Sequence, residues 1–164
     1  MDSNNEFLKA LKADYNYQNW HKKIKIPNKV LKRYLPDHSL ISDFILEKRR
    51  AIPDANHRFI DYFQHKNDKD IRVAISISLF STIEEAHDGL IHILCNCSAP
   101  NIPTGKEKGI DVGDISFCGL HDIQTAIFYT RNNVLIKIES VGRKDYPINR
   151  IAEIIDKDII NNIK

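Results

Sequence analysis

Apolar and polar positions alternate most cleanly over residues 72–80, where Val73, Ile75, Ile77 and Leu79 fall on one side and Ala74, Ser76 and Ser78 on the other. A β-branched run of period two predicts a half-buried strand. Residues 58–65 alternate in the same way, Phe59, Asp61, Phe63 and His65 opposing Ile60 and Tyr62, and 44–50 reads as extended. The polar tetrad Asn67-Asp68-Lys69-Asp70 predicts a turn between strands. The period then lengthens. Ser81-Thr82-Ile83-Glu84-Glu85 offers two overlapping capping boxes, Ser81 with Glu84 and Thr82 with Glu85. Ile83, Ala86, Leu90, Ile93 or Leu94, and Cys97 follow at helical spacing until Pro100 and Pro103 end the element.

Residues 101–113, with Pro103, Gly105 and Gly109, predict an exposed, mobile loop. A short strand over 114–118 and a hairpin come next, with arms at 125–130 and 134–141 and a turn at Arg131-Asn132-Asn133. The Asn pair suits the positive φ values of a tight primed turn. From Pro147, placed in a first turn where its missing amide costs nothing, Ile148, Ile151, Ile155, Ile159 and Ile163 mark one face of a terminal helix, with Asp156, Lys157 and Asn161 elsewhere. The N-terminal third predicts a helix over 5–15 and a second from Pro27 through Leu35, stopped by Pro36. The order is therefore three strands, a helix, three strands, a helix. Short strand-to-strand links favour antiparallel pairing. The expected fold is α+β: a roughly six-stranded antiparallel sheet packed with two long helices, over 37–164, with a helical and basic segment, 1–36, packed on it.

The pieces at 80–86, a strand entering Ser/Thr-x-x-Glu-Ala, at 112–114, Val-Gly-Asp, at 128–138, the hairpin with Asn at its turn, and at 151–155, Ile-Ala-x-Ile-Ile, resemble PsbP-like and related uncharacterised bacterial domains. The resemblance covers about residues 71–164. It implies a six-stranded antiparallel sheet between helices and a non-enzymatic role, often outside the cytoplasm. The absence of a basic and apolar leader and the basic N-terminal third depart from that pattern.

Composition narrows the classes. At 164 residues and 42% hydrophobic, the chain fits one domain with one core, and a net charge of +2 argues against a dedicated nucleic-acid binder. Three cysteines are too few for a disulfide framework. With Met1 as the native start the expected location is cytoplasmic; with an export signal removed upstream it is extracytoplasmic.

Candidate chemistry is sparse. His92, Cys95, Cys97, Cys118 and His121 include enough N and S donors for a tetrahedral zinc site, although Cys95 and Cys97 diverge on a continuous helix. The alternative is that Cys97 and Cys118 are small buried hydrophobes, or a disulfide pair in an exported form. Glu84, His87 and Asp88 share a helix face that suits acid–base work or plain solvation. Asp111, Asp114 and Asp122 read as solvated strand-end carboxylates, since their spacing matches no calcium loop. Neither a phosphate-binding glycine turn nor a nucleophile elbow occurs. Residues 21–33, with Lys22, Lys23, Lys25, Lys29, Lys32 and Arg33 beside Trp20 and Tyr34, suit phosphates and bases or an anionic membrane surface, a solvated face being the plainer reading. The expectation is a non-enzymatic binding or accessory domain for a protein, glycan or small molecule, with no cofactor. The alternatives are a zinc or redox protein and a nucleic-acid or anionic-surface binder.

Overall fold

The computed structural model describes residues 3–53, 57–99 and 101–163. Helix α1 (Ser3–Asp14) leads through a 3₁₀ segment, Tyr17–Lys23, into an irregular strap over 24–37. Strands β1 (Phe44–Ile52), β2 (Arg58–His65) and β3 (Arg72–Leu79) form a meander followed by α2 (Ile83–Cys95). A second meander, β4 (Ile115–Cys118), β5 (Ala126–Arg131) and β6 (Val134–Ser140), precedes α3 (Asn149–Ile163). The strands form one antiparallel sheet of order β1-β2-β3-β6-β5-β4, so the two meanders meet where β3 pairs with β6, Ile75 opposite Ile138. The expected α+β class and six-stranded antiparallel sheet are what the chain forms.

Alternation along the strands gives the sheet two different faces. Val73, Ile75, Ile77, Ile127, Tyr129, Ile136 and Ile138 pack with Ile148, Ile151, Ala152, Ile155, Ile159 and Ile163 of α3 into one continuous core. On the opposite face Leu90, Ile91 and Leu94 of α2 pack with Trp20, Ile115, Phe117, Phe128 and Leu135. That second core reaches from β6 to β4 only. The β1–β2 side of the same face carries Lys48, Arg50, Arg58, Ile60 and Tyr62, each at least partly exposed.

Of the two possible capping boxes the second forms. Thr82 Oγ1 accepts from the Glu85 amide at 3.1 Å and Glu85 accepts from the Thr82 amide at 3.2 Å. Helix α2 stops at Cys95 with Asn96 as its C-cap, so Cys97 lies beyond it. Helix α3 begins two residues after Pro147; the Ala152 amide bonds to the Ile148 carbonyl.

The expected helix from Pro27 to Leu35 does not form, because partners elsewhere in the fold take its backbone groups. Asp114 accepts the Lys25 amide (3.0 Å), Asn132 Nδ2 donates to the Ile26 carbonyl (2.7 Å), and Asn133 bonds both backbone groups of Leu31 (2.9 and 2.8 Å). Residues 101–113 are also better fixed than a free loop. Thr104 bridges to Phe117, and Ile110 and Val112 are buried.

Candidate functional site

The β5–β6 turn is buried. Asn132 takes φ 54°, as a tight turn needs, while Asn133 does not adopt a positive φ. Arg131, Asn132 and Asn133 are each no more than 2% exposed, because the strap crosses them. Arg131 donates Nε and Nη2 to the two oxygens of Asp156 at 2.8 and 2.7 Å, and Nη1 to Asp114 at 2.8 Å. Burial alone would lower the arginine's pKa, but the two carboxylates outweigh it and hold the guanidinium above its ordinary value. Asp114 also accepts the Asn132 amide at 2.7 Å. Asp114 therefore corrects the expectation of a solvated strand-end carboxylate, and Asp156 is buried against Arg131. Asp111 and Asp122 are exposed. Gly113 opens this corner at φ 70°; a Cβ there would lie 2.6 Å from the Thr130 carbonyl oxygen. Every strong donor in the cluster is satisfied internally, so it is a structural lock.

That lock fixes where the basic stretch goes. Trp20 is 1% exposed, packed between α2 and β4, with Nε1 donating to the Tyr15 carbonyl, so it has no free ring face for a base. Lys22, Lys23, Lys25 and Lys29 are exposed along the strap. Lys25 Nζ lies 3.6 Å from Asp111, and Lys23 and Lys25 edge a hollow with Lys106, Asp111 and Asp114. Lys32 and Arg33 point to a separate cleft with Arg49, His57 and Arg58. Four of the six cations thus divide between two surfaces, Lys23 and Lys25 at one and Lys32 and Arg33 at the other.

The zinc candidates divide as well. His92, Cys97 and His121 line one groove, whereas Cys118 is fully buried on the α3 side of the sheet, beneath the carbonyls of Pro103 and Thr104. Cys95 is half-buried in the last turn of α2. All three cysteines are free thiols. Among the described residues no three His, Cys, Asp or Glu side chains are placed to hold a metal ion. Burial pushes the Cys97 and Cys118 thiols up, so both are protonated near neutrality.

Glu84, His87 and Asp88 do not act as one surface group. His87 is 4% exposed beneath Tyr17 and Trp20, its Nε2 lacks a partner among the described residues, and burial lowers its pKa. Asp88 accepts from Lys12 (2.9 Å) and Tyr17 (2.7 Å), which pins α1 and its 3₁₀ extension to α2. Burial raises the Asp88 pKa less than these bonds lower it.

The groove lies on the α2 face and encloses about 930 Å³. Its floor is Ser76, Ser78, Lys137 and Glu139 of β3 and β6, with Arg58 at one end. Its walls are Gly89, His92, Ile93, Asn96 and Cys97 on the α2 side, and Ile102, Leu120 and His121 opposite. Leu120 is half exposed. At Gly89 the helix comes so close that a Cβ would sit 2.9 Å from both Leu135 and Phe80. The groove exists because α2 covers β4–β6 and leaves β3 at its margin. Its signal in the sequence was the interruption of an apolar face by Ser76, Ser78 and Lys137, which alternation alone assigns to solvent.

Set against models of known protein families, curated proteins and solved structures, the chain matches none.

Proposed function

We propose that this chain is a non-enzymatic ligand-binding domain whose ligand occupies the groove beside α2. The observation that carries the reading is the composition of that groove: apolar walls from Phe80, Ile93, Ile102 and Leu120 around a floor of two hydroxyls and the Lys137–Glu139 ion pair, with Arg58, unpaired among the described residues, at one end. A concave, mainly apolar site with a few convergent polar groups is the usual form of a small-molecule site. The ligand class that fits is a small amphiphile with an apolar body and an acidic end. Cys97 donates its thiol proton to the Ile93 carbonyl and is held neutral by burial, which suits a wall better than a nucleophile.

The test uses 8-anilinonaphthalene-1-sulfonate, an apolar body with an acidic group. Native protein is expected to bind one equivalent with enhanced, blue-shifted fluorescence, and Ser76→Trp, which fills the floor, to abolish it with unchanged circular dichroism. No enhancement, or equal enhancement in the variant, contradicts the proposal.

A further inference from the structure

Away from the groove's floor, around the far edge of the sheet, three separate parts of the chain bring cations to one cleft of about 810 Å³. The strap supplies Lys32 and Arg33, β1 supplies Arg49, and the first residue of β2 supplies Arg58, which also borders the end of the groove; His57 lines the cleft beside it. Among the described residues lining this cleft none is acidic. Lys32, Arg33 and Arg58 are exposed and make no ion pair with any described residue. A solvated surface normally intersperses both signs; here like charges are gathered, and of the arginines and lysine only Arg49 has an acidic partner among the described residues.

The strap backbone that carries Lys32 and Arg33 is held in place, and so is the Arg49 side chain. Lys32 and Arg33 lie between two anchors, Leu31 bonded to Asn133 and Tyr34, whose hydroxyl donates to Asp158 at 2.8 Å. Arg49 is fixed by buried Asp61, which accepts Nε at 2.6 Å and Nη2 at 2.7 Å, and its guanidinium lies 4.5 Å above the Phe59 ring. This leaves Nη1 without a partner among the described residues. His57 holds a positive φ of 39° at the cleft, a conformation that non-glycine residues rarely keep. Phe59, Ile52, Pro53, Leu35 and Leu79 supply an apolar wall.

We propose that this cleft binds a phosphate ester of nucleotide size, its phosphates between Arg33, Arg49 and Arg58 and its organic part against the apolar wall. Several cations gathered at one cleft match a group that carries more than one charge on several oxygens, which favours a phosphate ester over a monocarboxylate. Isothermal titration of the full chain with ADP, inorganic pyrophosphate and a single-stranded oligonucleotide tests it. ADP and pyrophosphate are expected to bind in competition with each other. Lys32→Ala with Arg33→Ala, both exposed side chains whose loss leaves the fold intact, is expected to weaken both by about tenfold or more. Absence of ADP and pyrophosphate binding, binding indifferent to the double variant, or binding of the oligonucleotide alone overturns the proposal. Arg58 borders both sites, but Lys32 and Arg33 line only the cleft, so the double variant is expected to leave dye binding in the groove unchanged and the two proposals fail separately.

Discussion

Arg131–Asp156 and Arg49–Asp61 are the same device in two settings. Each arginine bonds both oxygens of one carboxylate through Nε and Nη2, at 2.6–2.8 Å, and each aspartate is buried. The first pair is sealed: Arg131 is 2% exposed, Asp114 takes its remaining nitrogen, and the strap closes over them. The second opens outward. The Arg49 side chain is 35% exposed, and His38, bonded to Asp61 at 2.7 Å, is 29% exposed. Where every donor is used internally, the charges specify how the chain is joined. Where donors remain at the rim of a cleft, they can meet a ligand. The difference separates a lock from a site more surely than charge or residue type.

The comparison can be broken by removing one carboxylate from each pair. Asp156→Ala leaves Arg131 charged and dry, and is expected to cost about 3–5 kcal/mol in urea denaturation. Asn133→Ala frees the backbone of Leu31 and the Phe80 carbonyl, at about 2–3 kcal/mol, and exposes the strap to limited proteolysis within residues 21–33. Asp61→Asn is expected to cost only about 1–2 kcal/mol, since water can reach Arg49 and His38. An Asp61 variant as damaging as the Asp156 variant would remove the distinction.

The smallest effect concerns His87. Its folded pKa lies below its ordinary value near 6.5, because burial disfavours the cation; Asp114, Glu84 and Asp88 oppose that shift and His21 adds to it. The unfolded chain therefore takes up the proton first. The stability that neutral His87 permits is complete above about pH 6.5 and declines as pH falls below it. His87→Leu removes an unpartnered buried nitrogen and is expected to flatten that part of the pH–stability profile, measured by urea midpoints between pH 7.5 and 5.

Period and capping carried the fold. The alternation of β2 and β3, the Thr82–Glu85 box and the isoleucine stripe of α3 are local signals, and the structure keeps them. What local pattern could not show is a contact between distant segments. Asn132 and Asn133 read as turn residues, which they are, but their amides also hold Ile26 and Leu31, more than 100 positions away. The strap in turn lacks its helix because those bonds satisfy its backbone better than an isolated short helix would. Asp114 and Asp156 read as surface carboxylates because nothing nearby announces Arg131. The basic stretch was visible as charge, yet its division between two surfaces, and the arrival of Arg49 and Arg58 beside Lys32 and Arg33, depend on the sheet edge. Both proposed sites are products of that long-range assembly.

The Arg131–Asn133 turn locks the strap to the sheet and so positions Lys32 and Arg33 at the cleft. Native-state hydrogen exchange at the Leu31 amide, whose acceptor is the Asn133 side chain, tests it most directly. The lock predicts protection close to that of the β5–β6 core, collapsing in Asn133→Ala while Ile136 and Ile138 stay protected. A Leu31 amide that exchanges in the native protein at the rate of an unstructured chain contradicts it.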